Sequence, residues 1–131
     1  MSGLYLTRNK GTPPETLGAQ LRRLRETADL PGWKVAAAAE MDSGLLSKIE
    51  TGKRLPTQMQ LAALAKFFDV PAGLLEQRRL AEEMLRRYGD HPEIDAATTI
   101  LREEVGEYRV KKRSTAASKA AKAVNKRGKS K

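Results

Sequence analysis

Between Asp42 and Arg54 the chain carries polar and charged residues whose spacing suits recognition of a partner. Asp42 is a good helix N-cap, because its carboxylate can accept from the open N–H groups of the turn it starts. Leu46 and Ile49 then fall three apart, on one face of that helix. Ser43, Gly44, Ser47 and Lys48 fall on other faces and stay free to touch a partner. Gly52 suits the left-handed position that closes a helix. Lys53 and Arg54 add two cations before Pro56, which keeps the turn from running straight into another helix.

Catalysis has little to work with. His91 is the single histidine, and its place in a turn beside Pro92 reads as a solvent-exposed turn residue. There is no cysteine, which excludes disulfides and thiol chemistry and fits a reducing compartment. No cluster has metal-ligand spacing. Gly44 through Gly52-Lys53 fails as a phosphate loop: seven residues separate the glycines, and Arg54 stands where a hydroxyl should bind magnesium. The chain is therefore read as no enzyme, with no catalytic residue, no metal and no cofactor.

The element before Asp42 is nearly all alanine from Ala36 to Ala39, and small side chains let a second helix cross close to its backbone. Two short helices, a tight turn and a capped second helix form the pattern of a DNA-binding helix-turn-helix. This stretch resembles the Cro/C1 family of bacterial and phage repressors, also called the xenobiotic response element family. The residues that carry the resemblance are Val35-Ala36, Met41-Asp42, Leu46-Ser47, Ile49-Glu50, Gly52 and Pro56, then Leu61, Leu64-Ala65 and Val70. It covers roughly residues 16–76 and spans a whole five-helix domain.

The resemblance implies that the second helix, about 43–51, lies in the major groove of double-stranded DNA with its first residues at base edges. Its base-reading positions are then Ser43, Gly44, Leu45 and Lys48. Lys48 can donate to guanine O6 and N7, Ser43 can donate or accept, and Leu45 can pack on a thymine methyl or be partly buried. Gly44 can only allow close approach. Ser47, Lys53 and Arg54 suit phosphate contacts that position the domain. Glu50 matches a family glutamate engaged with the protein itself. Two positions depart from the family pattern. Gly32 stands where a phosphate-bridging Gln is common, and Glu40 stands where Gly is common, at a cost of about 1 kcal/mol if it turns left-handed.

The remaining elements follow from periodicity and punctuation. Leu17, Leu21, Leu24 and Ala28 share a face and predict a first helix over 15–28. Arg22, Arg23 and Arg25 occupy its other faces, to reach phosphates or simply to be solvated. Leu30-Pro31-Gly32 ends it and starts the second helix, where Trp33 is expected to pack in the core in preference to stacking on nucleic acid. Thr57 with Gln60 forms a capping-box pattern, and Leu61, Leu64, Ala65 and Phe68 give that helix its buried face. Asp69-Val70-Pro71 is a break. A fifth helix begins at Leu74-Leu75 and continues through Leu80, Met84 and Leu85 to Tyr88. After the turn at Gly89-Asp90-His91-Pro92, Ile94, Ala97, Leu101 and Val105 predict a sixth helix over 93–108.

Charge divides the 131 residues unevenly. The net charge is +9, yet residues 109–131 hold ten Lys or Arg and no acid, leaving about −1 for residues 1–108. The expected architecture is all-α: a flexible arm over 1–14, a five-helix repressor-like helix-turn-helix domain over 15–76, a helical hairpin extension over 77–108 and a basic disordered tail over 109–131. The arm, with Arg8 and Lys10, is either a frayed terminus or a minor-groove arm. The extension is acidic, which favours protein contacts and dimerisation. In the tail, Lys111, Lys112, Arg113, Lys119, Lys122, Lys126 and Arg127 are the electrostatic residues.

The leading functional reading is a sequence-specific regulator of transcription that binds double-stranded DNA as a homodimer and represses by occupying an operator. An antitoxin or a restriction–modification controller uses the same domain. A protein-bridging adaptor with loose nucleic-acid affinity is the reading from another class. No apolar run is long enough for a membrane span and the N-terminus has no signal-peptide core, so the expected location is cytoplasmic and nucleoid-associated. Nothing in the residues points to a particular small-molecule effector.

Overall fold

Six α-helices and no strand make up the described residues, 15–128, in a computed structural model of the chain. They are α1 (Leu17–Thr27), α2 (Gly32–Ala38), α3 (Ser43–Glu50), α4 (Gln58–Phe68), α5 (Ala72–Tyr88) and α6 (Ile94–Gly128). The arm expected over 1–14 lies outside the described residues.

Short polar side chains start three of these helices. Thr16 accepts from the Ala19 N–H at 3.1 Å, and Asp42 accepts from the Leu45 N–H at 2.7 Å. Thr57 and Gln60 close a full capping box, with bonds of 3.1 and 3.0 Å. Each cap satisfies a donor that the helix itself leaves open. The ends are as clearly marked. Gly52 takes φ 82° after α3, while Asp29, Glu40 and Asp69 take φ of 54°, 53° and 55° after α1, α2 and α4. Glu40 does adopt the left-handed conformation that its place in the turn requires. Helix α1 stops at Thr27, so Ala28 becomes an exposed C-cap and leaves the apolar face expected of it.

Five helices share one core. Leu17 and Leu21 of α1, Val35 and Ala36 of α2, Leu46 and Ile49 of α3, Leu61, Leu64 and Ala65 of α4, and Leu75 of α5 are all buried, with Ala39 beside them. At about 25 cal/mol per Å² of apolar area, burying such side chains stabilises by roughly 1.5–3 kcal/mol for each large one. Gly18 fixes how closely α1 crosses α3. A Cβ there would stand 2.6 Å from the Glu50 carbonyl oxygen and closer still to that of Ile49, so only glycine fits.

The expected boundary at 76 is displaced. The chain divides between Arg87 and Tyr88, and nearly all of α5 belongs to the first unit. Glu82 accepts from the Leu17 N–H at 2.6 Å and pairs with Arg78 at 2.8 Å, and Arg86 donates to the Gly52 carbonyl at 2.7 Å. That division falls inside the expected extension over 77–108. No sequence pattern announces contacts made across such separations.

The second unit begins with a turn, in which His91 donates its backbone N–H to Tyr88 and accepts from the Glu93 N–H on Nδ1 at 3.0 Å. Helix α6 follows and runs to Gly128, which corrects both the expected end at 108 and the expected disorder of 109–128. Alanine, lysine and arginine are strong helix formers, and no proline interrupts them after Pro92. Polar composition tells against a packed core, but it does not tell against a helix. Ile94 is half-buried, and the other described side chains of α6, through residue 123, are exposed.

Candidate nucleic-acid interface

Helix α3 presents one face to the core and another to solvent. Leu46 and Ile49 are buried, while Ser43, Gly44, Ser47 and Lys48 are exposed. Leu45 is half-buried and packs against the core, so only part of it is open to a partner. The Asp42 cap holds the first turn of α3 at its expected start.

The C-terminal end of α3 draws the cations together through the backbone. The Lys48 carbonyl accepts from the N–H groups of Lys53 and Arg54, at 2.9 and 3.2 Å, and the Ser47 carbonyl accepts from the Thr51 N–H and hydroxyl at 3.0 and 2.9 Å. Lys48, Lys53 and Arg54 therefore sit around one exposed turn, with Ser47 at its base. Arg86 secures that turn from α5 by its bond to the Gly52 carbonyl. Its role was invisible in the sequence, because 34 residues separate it from Gly52.

Behind this surface, Glu50 binds Arg25 through two hydrogen bonds, 2.8 and 3.0 Å, and Arg25 also donates to the Leu30 carbonyl. The Glu50 side chain is only 8 % exposed, and the pair locks α1 to the end of α3. The hydrogen bonds to Glu50 raise the Arg25 guanidinium above its ordinary range, against the opposing effect of desolvation. Glu50 is thus structural, as its match to the family glutamate implied.

The other arginines of α1 each have an acid beside them. Arg23 forks onto Glu15, and Arg22 pairs with Glu26, each at 2.8 Å. Trp33 corrects a second expectation: it is 65 % exposed, in the first turn of α2, beside exposed Lys34. The core takes Val35, Ala36 and Ala39 from this segment, and Trp33 lies off that face. Gly32 lies close to α3, since a Cβ on it would stand 3.8 Å from a Leu46 methyl.

The tail cations Lys111, Lys112, Arg113, Lys119 and Lys122 are exposed on α6. The Lys112 ammonium lies 5.8 Å from the centre of the Tyr108 ring. Lys126 and Arg127 fall within the same helix, and their side chains lie outside the described residues. No described helix is long and apolar enough to cross a membrane.

Residues 16–78 match a family model described as a helix-turn-helix domain. No curated protein and no solved structure matches the chain. The matched segment begins at the N-cap of α1 and ends inside α5, so it takes in the whole of α2, its turn and α3. Residues 16–78 thus resemble a helix-turn-helix domain, in which α2, the turn after it and α3 form the helix-turn-helix itself.

Proposed function

We propose that this protein is a sequence-specific regulator of transcription that binds double-stranded DNA and represses by occupying an operator. The observation that carries this reading is the division of α3, with Leu46 and Ile49 in the core and Ser43, Gly44, Ser47 and Lys48 exposed in its first two turns. In this role α3 enters the major groove. Ser43 and Lys48 donate to base edges, the open part of Leu45 meets a thymine methyl, and Gly44 lets the backbone approach. Ser47, Lys53 and Arg54 hold phosphates and set the register. The reading is of binding without catalysis.

The working species is a homodimer. One domain of this size reads only a short half-site, and Leu80, Leu101 and Val105 leave apolar surface exposed. Selection from random duplexes should return one palindromic motif, its half-sites about one helical turn apart. Recovery of no motif would replace this reading with that of a protein-bridging adaptor. Sedimentation that gives a monomer at tens of micromolar, still monomeric on the selected duplex, would remove the homodimer.

The basic segment acts through charge. Ten cations without an acid displace counterions from phosphates whatever the sequence. A 1–108 truncation should lose affinity for operator and random DNA by similar factors and flatten the slope of log affinity against log salt. An unchanged slope would reject a DNA role for residues 109–131.

A further inference from the structure

Helix α6 carries an apolar strip in its first half and a basic surface in its second. Ile94, Leu101 and Tyr108 recur every seven residues, and Thr98 and Val105 fall between them at four and three. That alternation is the seam of a two-stranded coiled coil, with the β-branched Thr98 and Val105 at one core position and Ile94, Leu101 and Tyr108 at the other. The seam lies open. Leu101 is 49 % exposed, and Ala97, Ile100, Leu101, Glu104, Val105 and Tyr108 line a shallow groove of about 310 Å³. Past Tyr108 the same strip continues as Lys112, Thr115 and Lys119, so the apolar seam ends there.

We propose that residues 94–108 of α6 pair with the same residues of a second copy of this chain, with the two helices parallel. The inference rests on the homodimer reading and gives it an interface and a direction. Charge beside the seam favours that direction over the antiparallel register that sets Leu101 against Val105. In a parallel pair the residue flanking one side of the seam meets the partner residue five positions on. Glu104 then meets Arg109 of the second copy, twice by symmetry, and Ala97 meets Arg102 without conflict. An antiparallel pair that sets Leu101 against Val105 brings Arg102 onto Arg102 and Glu104 onto Glu104. Parallel pairing also brings both basic segments out at the same end of the seam, where their phosphate affinities combine.

The native chain has no cysteine, so a single introduced thiol reports one position. Full-length Leu101→Cys should form a disulfide dimer under mild oxidation, because parallel seam positions face their own copies. A mixture of Leu101→Cys and Val105→Cys chains should give little mixed disulfide. Glu104→Arg and Arg109→Glu should each weaken the dimer roughly 5–10-fold through two new like-charge contacts, and the double variant should restore it. These positions are exposed, so the thermal midpoint of the helix-turn-helix domain serves as the folding control. Predominance of the mixed 101–105 disulfide would overturn the parallel direction. A dimer by sedimentation with no disulfide at 101 would move the interface elsewhere and leave the homodimer reading standing. A monomer with and without duplex would end both.

Discussion

Helices α1 to α5 and helix α6 use the same kinds of residue to opposite ends. In the first unit, six leucines are fully buried and most arginines have an acid beside them: Arg22 with Glu26, Arg23 with Glu15, Arg25 with Glu50, Arg78 with Glu82 and Arg79 with Glu76. Leu17, Leu21, Leu46, Leu61, Leu64 and Leu75 each close against the core. In α6 the large apolar side chains described after Ile94 stay exposed, and the cations beyond residue 108 share the segment with no acid at all. A helix whose interactions are satisfied internally positions a site. A helix whose groups are left unsatisfied is itself a surface for partners. Lys48, Lys53 and Arg54 are the exception in the first unit, because they gather around one exposed turn and no described ion pair holds them.

Two glycines inside helices give the sharpest way to break the comparison. Gly18 has no room for a Cβ, since the carbonyl oxygens of Ile49 and Glu50 occupy it. Gly18→Ala must push α1 away from α3 and disturb the Arg25–Glu50 lock. The expected loss is about 3 kcal/mol, at the upper end for overpacking, because backbone must move. Urea unfolding of the variant would show it as a lower midpoint. A midpoint within 1 kcal/mol of the native one would mean that the α1–α3 crossing relaxes easily and is no rigid platform.

Lys48→Ala tests the exception. It should weaken operator binding by roughly 1–3 kcal/mol and relax preference at one base pair in each half-site, leaving the thermal midpoint in place. Gel shifts with equal losses on operator and random duplexes would make Lys48 a phosphate contact, equivalent in kind to the cations of α6.

The difference between the two regions also decides what could be read from the sequence. The helix-turn-helix was legible because local signals agree with the tertiary structure: Asp42 and Thr57 cap as expected, Gly52 closes α3, and Leu46 and Ile49 face inward. Trp33 was misread because apolarity suggested burial, whereas three small or branched neighbours already fill the α2 side of the core. The roles of Gly18, Glu82 and Arg86 depend on partners 31 or more residues away, and no local pattern encodes such contacts. The tail was misread because low apolar content and helix propensity are separate properties. The first bears on whether a segment packs, and the second on which backbone conformation it takes.

Glu40→Gly should run the other way from Gly18→Ala. Glu40 holds φ 53° in the turn between α2 and α3, a conformation that costs a residue with a Cβ about 1 kcal/mol and glycine far less. The variant should raise stability by up to that amount, less what glycine adds to the entropy of the unfolded chain. DNA affinity should stay as it was, since the Glu40 side chain touches neither α3 nor the cationic turn in any described hydrogen bond or ion pair. A lower thermal midpoint would show that unfolded-state entropy outweighs the relieved strain.

The smallest effect belongs to Gly106, and its smallness is the point. A Cβ at Gly106 meets nothing within 4 Å, and φ there is ordinary helix. Gly106→Ala should therefore favour the local helix by roughly 0.5–1 kcal/mol through backbone entropy alone. Helix α6 has no buried core to make it cooperative, and its lysines repel one another at three- and four-residue spacings, as between Lys119 and Lys122 and between Lys122 and Lys126. Added salt screens that repulsion, so the circular-dichroism signal at 222 nm should deepen both with salt and with the substitution. The thermal midpoint of the first unit should move by less than the error of the measurement, because nothing in its core gains or loses a neighbour. A rise in that midpoint would show the two units unfolding together. An unchanged 222 nm signal in both experiments would mean that α6 gains its helix only on a partner, and the contrast between the regions would then be one of folding alone against folding on binding.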